Sequence, residues 1–221
     1  MSRRFGAYEI VEEVGRGGMG VVYHAREMAL DRDVALKVIL EDSVAVPIFR
    51  ARFERESRLA ASIDHPHIVA VHAVGEHDGR PYIAMQWING GDLRSRLREG
   101  PMSVADAVRV GRQIAEALQA AHERGLLHRD VKPGNVMLRR GSRIHAMLGD
   151  FGIARTSEAS LELTRTGEVV GTPLYSAPEQ FSGAGAQTAS DVYSLGCVLY
   201  ACLTGKAPYA DSDNVAVVYM A

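Results

Sequence analysis

The chain has 221 residues, 47% of them apolar, enough for one large domain or two small lobes with a sizeable core. A formal net charge of −2 argues against a general nucleic-acid or membrane-surface binder. The basic start Ser2-Arg3-Arg4 precedes no long apolar run and is no signal peptide, and the longest apolar stretch, 195–203, falls far short of the ~20 residues that cross a bilayer.

In chain order, residues 8–14 alternate apolar and polar as a strand does. Gly15, Gly17 and Gly20 follow, and the β-branched Val21 and Val22 begin the next strand. These glycines spell G-x-G-x-x-G. A dinucleotide fingerprint needs a helix after them, whereas here a strand follows. The loop is therefore expected to fold over a ligand as a hairpin, glycine letting backbone amides approach phosphate oxygens. A flexible surface hairpin would carry the same pattern.

"RDVALKVIL" (32–40) is another strand, with Ala35, Lys37 and Ile39 on one face and Val34, Leu36 and Val38 on the other. Both faces are apolar except for the lysine, so Lys37 reads as a buried ammonium that needs a counter-charge. A helix expected over 48–63 supplies one. Its inward stripe is Phe49, Phe53, Glu56, Ala60 and Ile63, stepping by four, three, four and three. A Lys37–Glu56 ion pair is expected, either structural or, with the glycine loop one strand away, a grip on phosphate.

"HIVAVHAVGE" (67–76) and "RPYIAMQWI" (80–88) are two more strands around the turn "HDGR". Asn89-Gly90-Gly91 breaks the pattern and reads as a hinge between lobes. The rest is mostly helical. Ser103 is an expected N-cap with Asp106 as an imperfect capping box. Ala107, Val110, Ile114, Ala117, Leu118 and Ala121 form the buried stripe, and Gly125 stops the helix. "HRDVKPGN" (128–135) follows, then a short hairpin around Gly141, then "GDFG" (149–152) and a polar stretch over 156–171. Residues 190–203 are apolar almost all round and read as a central core helix. It carries Cys197 and Cys202 as buried free thiols, which suit a reducing cytoplasm.

Chemistry concentrates in two of these segments. Asp150, between two glycines at a strand end, suits a hard cation, since Mg²⁺ is held through one or two carboxylates plus phosphate. An Asx turn would also place an aspartate there. Asn135 offers a neutral oxygen for the same metal. Asp130 could take a proton from, or orient, an attacking hydroxyl, and Lys132 could neutralise a transferring group. The His-x-His of "DHPHIV" (64–69) has no further ligand at zinc-like spacing and reads as structural, and Trp87 reads as packing.

Taken in order, "GRGGMGVVY" (15–23), "VALK" (34–37), Glu56, "HRDVKPGN", "DFG", "APE" (177–179) and "SDVYSLGCVLYACLTGKAPY" (190–209) resemble the motifs of the eukaryotic-like, Hanks-type serine/threonine protein kinases, in their bacterial branch. The match covers residues 8–221. The resemblance implies an α+β, bilobal fold. A small antiparallel β-sheet N-lobe with helix C would span 8–87, a hinge 86–91, and a mainly helical C-lobe 92–221. It implies transfer of the γ-phosphate of ATP to protein Ser/Thr hydroxyls with Mg²⁺, or Mn²⁺, as cofactor.

By resemblance, Asp130 is the catalytic aspartate and Lys132 reaches the γ-phosphate. Asn135 and Asp150 hold the metal, and Lys37, fixed by Glu56, grips the α- and β-phosphates. Val14, Gly15, Arg16, Gly17, Gly18, Met19, Gly20 and Val21 form the loop over the nucleotide. Val14, Val22, Ala35 and Met137 sandwich adenine, with Met85 as gatekeeper and Gln86 and Ile88 in the hinge. Thr164 and Thr166 are expected sites of activating autophosphorylation, which would engage a kinase–kinase dimer and dock phosphate on Arg129. Thr172 would touch Asp130 and Lys132 and mark the substrate-binding loop, and Glu179 would end the activation segment. The partners implied are Ser/Thr-bearing proteins and ATP, without nucleic acid, in the cytoplasm, with any membrane anchor outside this chain.

The end of the chain departs from the pattern. It stops where the large lobe should begin its last helices, which reads as truncation. Glu179 then lacks its usual arginine partner, and "VAVVYMA" (215–221) has nothing to pack on. An inactive nucleotide-binding module is the alternative that this departure raises. A small-molecule phosphotransferase is a third reading, against which "GTPLYSAPE" (171–179) and Lys132 argue.

Overall fold

The computed structural model describes residues 3–17, 20–40, 47–151, 173–181 and 185–210. The expectations for Gly18, Met19, Thr164, Thr166, Thr172, the stretch 156–171 and the end 215–221 lie outside the described residues. The chain divides into two compact units, one of Met1–Asp64 with Val69–Ile88, the other of His65–Ile68 with Asn89–Ala221.

The first unit is a sheet of six strands: β1 (Arg3–Phe5), β2 (Tyr8–Gly17), β3 (Gly20–Glu27), β4 (Arg32–Ile39), β5 (Val71–His77) and β6 (Arg80–Gln86). Their order is β1-β2-β3-β4-β6-β5 with every pair antiparallel, and helix α1 (Pro47–Ala61) packs beside β5. Period-two alternation sorts the side chains. Ala25 pairs with Val34, Tyr23 with Leu36, and Val38 with Tyr82, and this face carries the core of Tyr8, Ala25, Val34, Leu36, Val38 and Ala84. The Tyr8 and Phe5 rings meet Tyr82 edge-on at 5.5 and 5.7 Å. Leu36 is fully buried there, a position where truncation to alanine costs about 2–5 kcal/mol.

Sequence and structure differ at three strand ends. β1 is unforeseen; three residues carry no readable alternation, and it exists because Gly6, at φ 56°, turns it back onto β2. β2 runs on to Gly17 because its glycine arm is paired, Arg16 with Val21 and Gly17 with Gly20. β5 starts at Val71 rather than at residue 67, since His67 O accepts from Leu148 N at 2.8 Å and Ile68 bridges to Leu148 in the second unit. The β5–β6 turn is the expected one: Asp78 and Gly79 both have positive φ, 49° and 76°, as a two-residue hairpin needs.

The second unit holds α2 (Leu93–Leu97), α3 (Val104–His122), the hairpin of β7 (Val136–Arg139) and β8 (His145–Leu148), and α4 (Thr188–Thr204). Ser103 caps α3 as expected, its hydroxyl accepting from Asp106 N at 3.2 Å and donating to Asp106 Oδ2 at 2.9 Å. All six stripe residues of α3 are buried, and Gly125 follows its C-terminus at φ 70°. α3 packs on β8 and α4. At that crossing a Cβ on Gly111 would meet Leu199 Cδ2 at 2.6 Å, so the glycine sets how closely the helices approach.

α4 corrects an expectation. Its Leu195, Cys197, Val198, Ala201 and Cys202 are buried, but Val192 (59%), Tyr200 (50%) and Leu203 (47%) are exposed. Among the described residues the helix packs on α3 and on the turn Pro173–Tyr175, which cover one side of it. Neither cysteine is in a disulfide, and burial pushes the Cys202 thiol up to about 11. No helix among the described residues is long and apolar enough to cross a membrane.

Candidate active site

In the first unit, Val22 pairs with Lys37 and Ala35 with Met85, which sets these four side chains on the sheet face opposite the core. All four are half-buried. Lys37 is half-buried rather than the fully buried ammonium expected from an apolar strand, although Ile39 on its face and its cross-strand partner Ile83 are buried. Glu56 does turn inward, 8% exposed on α1 with Phe53, Ala60 and Ile63 also buried. Val14 is exposed, while Val21 pairs with Val38 and is buried on the core side. Gln86 N donates to Ala70 O at 2.8 Å, Ile88 is buried, and Trp87 stacks on His24 at 4.1 Å, the packing role expected of it.

The glycines of the loop separate by what surrounds them. A Cβ on Gly20 would meet Val38 O at 2.5 Å, so that glycine is demanded by the sheet. Gly15 and Gly17 have nothing within 4 Å of a Cβ. Neither the packing nor a positive φ requires glycine at those two positions. Arg16 beside them donates twice to Glu13, at 2.9 and 2.7 Å, which raises the guanidinium pKa.

In the second unit, the segment 128–135 is built as a rigid loop. Pro133–Asn135 forms a 3-10 turn, and Asn135 N donates to Lys132 O at 2.9 Å. The Asn135 amide donates to Asp130 O at 2.8 Å and Asp130 Oδ2 at 3.1 Å, while Lys132 Nζ lies 2.7 Å from Asp130 Oδ2. Cation and amide therefore meet on the Asp130 carboxylate, a contact that the sequence, which only grouped the three residues on one loop, did not disclose. Arg129, at φ 64°, and Asp150, at φ 55°, hold left-handed backbone, a costly conformation for such residues that the surrounding bonds enforce.

Two residues not singled out from the sequence do this enforcing. Asp191, 1% exposed in the first turn of α4, accepts from His128 N at 2.9 Å, Arg129 N at 2.8 Å and His122 Nε2 at 2.8 Å. His128 is fully buried against Phe151. Its Nδ1 accepts from Asp130 N at 3.2 Å, so Nε2 carries the proton and donates to Gly149 O at 3.0 Å. Burial lowers its pKa, with Asp191 opposing, so the imidazole is held neutral. Gln180 adds a third tether, its Nε2 donating to Arg129 O at 3.1 Å. A buried acid at the head of an apolar helix was the one signal that could have found Asp191. Glu179, expected to lack its usual arginine, takes the Ser190 hydroxyl on its Oε1, a partner from α4 that spacing alone did not reveal.

Gly149 N donates to Asn135 O at 2.9 Å, which ties the loop to the residue before Asp150. The Asn135 amide nitrogen is spent on Asp130, which leaves its carbonyl oxygen as the donor for a cation. Asp150, half-buried, contributes a carboxylate. No group of three or more His, Cys, Asp or Glu gathers among the described residues. One amide oxygen and one carboxylate fit a hard divalent ion that completes its shell with phosphate oxygens and water. Met137 is half-buried on β7, and the described His67 and His145 bond backbone carbonyls, His67 Nδ1 to Ala146 O at 2.9 Å and His145 Nε2 to Pro66 O at 3.0 Å.

Comparison with known proteins agrees with this geometry. The protein kinase domain family matches residues 8–220. The serine/threonine-protein kinase PknJ of Mycobacterium tuberculosis is 46% identical over 219 residues, covering 98% of this chain and 37% of that protein. PknE of the same organism is 46% identical over 216 residues, covering 97% and 38%. The chain thus spans under two-fifths of these relatives' length. The crystal structure of the M. tuberculosis PknI kinase domain superposes with a TM-score of 0.76 at 34% identity, covering 94% of this chain and 78% of that one. Membership of this family implies ATP and a divalent metal. With the ordered motifs, the loop geometry and these matches together, the chain belongs to the protein kinase family, on its bacterial Hanks-type serine/threonine branch.

Proposed function

We propose that the chain is a protein serine/threonine kinase domain that moves the γ-phosphoryl group of ATP to the hydroxyl of a protein Ser or Thr. The observation that carries this is the Asp130 carboxylate, met by Lys132 at 2.7 Å and Asn135 at 3.1 Å on a loop hung from buried Asp191. Asp130 orients the attacking hydroxyl and receives its proton as the oxygen–phosphorus bond forms and ADP leaves. Lys132 turns from Asp130 to the γ-phosphate and brings positive charge to where negative charge develops. Lys37, set by Glu56, holds the α- and β-phosphates, and the open glycines Gly15 and Gly17 let the loop's amides close on them. Mg²⁺, or Mn²⁺ in its place, is the ion for Asn135 and Asp150; when bound it neutralises phosphate charge. Such catalysis is positioning and charge stabilisation, which suits a loop fixed at both ends.

Regulation belongs to the same reading. Autophosphorylation at Thr164 or Thr166, between two copies of the chain, supplies a phosphate for Arg129, and Thr172 presents the substrate loop. A cytoplasmic placement is part of the proposal, and the need for ATP and the two buried free thiols support it. Radiolabelled γ-phosphate ATP with Mg²⁺, followed by mapping of the label, tests the function. Label is expected on Ser/Thr, falling by about 10²–10⁴ in Asp130→Asn. Label that persists in that variant, or that appears only on small alcohols, sinks the reading, and full activity of a Thr164→Ala/Thr166→Ala chain removes the regulatory part.

A further inference from the structure

Arginine gathers on one flank of the second unit. α3 presents Arg109 and Arg112, and the β7–β8 hairpin presents Arg139, Arg140 and Arg143, with His145 beside them, around a cavity of about 450 Å³. Five of the chain's 25 basic residues therefore meet in one place on a molecule whose net charge is −2. Arg112 has a carboxylate nearby, Glu116 at 3.8 Å. Arg109, Arg139, Arg140 and Arg143 make no ion pair with any described carboxylate. Arg139, Arg140 and Arg143 are exposed, and together with Arg109 they make a positive patch that attracts an anion.

The scaffold beneath is fixed. Gln113, 6% exposed at the cavity floor, accepts from Ala146 N at 2.7 Å and donates to Ile144 O at 3.4 Å, clamping the hairpin to α3. Arg140 N donates to Asn89 Oδ1 at 3.3 Å and sets the other end of the tip. The cluster contains arginine and no lysine. Planar guanidinium forks match phosphate oxygens two at a time, which a lysine ammonium does not. The volume falls within the roughly 300–1,000 Å³ of small-ligand sites, room for one side chain bearing a phosphate and not for a folded surface.

We propose that this arginine cavity docks a phosphorylated segment of a protein, through a phosphoserine or phosphothreonine. The proposal rests on the kinase reading for the source of its ligand: the product of the reaction is the group that the cavity fits. Docking there holds an already phosphorylated protein on the kinase by a contact separate from the one Asp130 makes with the attacking hydroxyl. A protein phosphorylated once becomes a better substrate, and phosphorylation spreads along it.

Fluorescence anisotropy at low ionic strength, without ATP, tests the site. The probes are a labelled peptide with one phosphothreonine, the same peptide with Thr or Glu in its place, and a single-stranded oligonucleotide of similar length. The phosphopeptide is expected to bind at least about tenfold tighter than the others. Arg139→Gln/Arg140→Gln/Arg143→Gln should abolish that preference, and Arg139→Lys/Arg140→Lys/Arg143→Lys should keep the charge but lose most of the preference. Arg109→Gln, on another element, should weaken binding in the same sense. Asp130→Asn, which stops transfer, should bind the phosphopeptide unchanged, so failure of the kinase reading and failure of this one look different. Equal binding of the Thr or Glu peptide, unchanged binding by the variants, or tighter binding of the oligonucleotide each overturns the proposal.

Discussion

Asp191 is the residue on which the catalytic loop depends, and its contacts state what replacing it does. It accepts two backbone N–H groups and His122 Nε2, all from a position 1% exposed. Asparagine at this place keeps one acceptor oxygen and turns an NH₂ towards a buried donor. Asp191→Asn is therefore expected to cost about 3 kcal/mol or more, while His122→Asn, which disturbs one of the three bonds, costs about 1 kcal/mol. Urea denaturation of both variants measures this, and equal losses would refute the central role of Asp191. Activity of Asp191→Asn should fall in kcat more than in KM for ATP, since the bonds it loses position Asp130. This residue also marks the limit of what the sequence disclosed. Asp130, Lys132 and Asn135 meet within one loop, so spacing was enough to group them. Asp191 lies 63 and 62 residues from the amides it accepts, and no local pattern encodes such a distance. The burial of Lys37 was overstated for a related reason: alternation assigns side chains to faces, but it does not say how much of a long side chain its neighbours cover, and Lys37 is half-buried between buried Ile39 and Ile83.

Among the elements, those with a strong period were legible. The stripe of α3 and its Ser103 cap follow from spacing, and so does the inward Glu56 of α1. Elements without a period were not: β1 is too short to alternate, and α4 is so uniformly apolar that its composition could not indicate which side stays exposed. The β2–β3 hairpin allows structural and ligand-directed glycines to be told apart. Gly20→Ala forces a Cβ against Val38 O and should lower the unfolding midpoint, by about 1–3 kcal/mol of stability. Gly15→Ala and Gly17→Ala meet open space and should leave that midpoint within about 0.5 kcal/mol while raising KM for ATP roughly tenfold. Thermal melts and steady-state kinetics on the three variants decide it. Gly15→Ala that melts early, or that binds ATP normally, would return the loop to an ordinary surface hairpin.

For the molecule as a whole, the buried imidazole makes acid the direction of weakness. His128 has a native pKa below its ordinary 6.5, because burial disfavours the imidazolium more than Asp191 and the other neighbours favour it. Between the native value and 6.5 the unfolded chain binds a proton that the folded chain refuses. Stability from this group is thus complete above about pH 6.5 and is lost as the pH falls below it. His72 is lowered too, by burial first and by Arg32 second, and acts with the same sign. The urea midpoint should fall between about pH 7.5 and pH 5.5 and stay level between about pH 7.5 and pH 8.5. Nitrogen chemical shifts of the histidine rings identify the cause. His128 should become charged at a lower pH than an unperturbed imidazole does. An imidazolium signal from His128 in the folded chain at the pH where a free imidazole is half charged would mean that the Gly149 and Asp130 bonds do not hold it neutral.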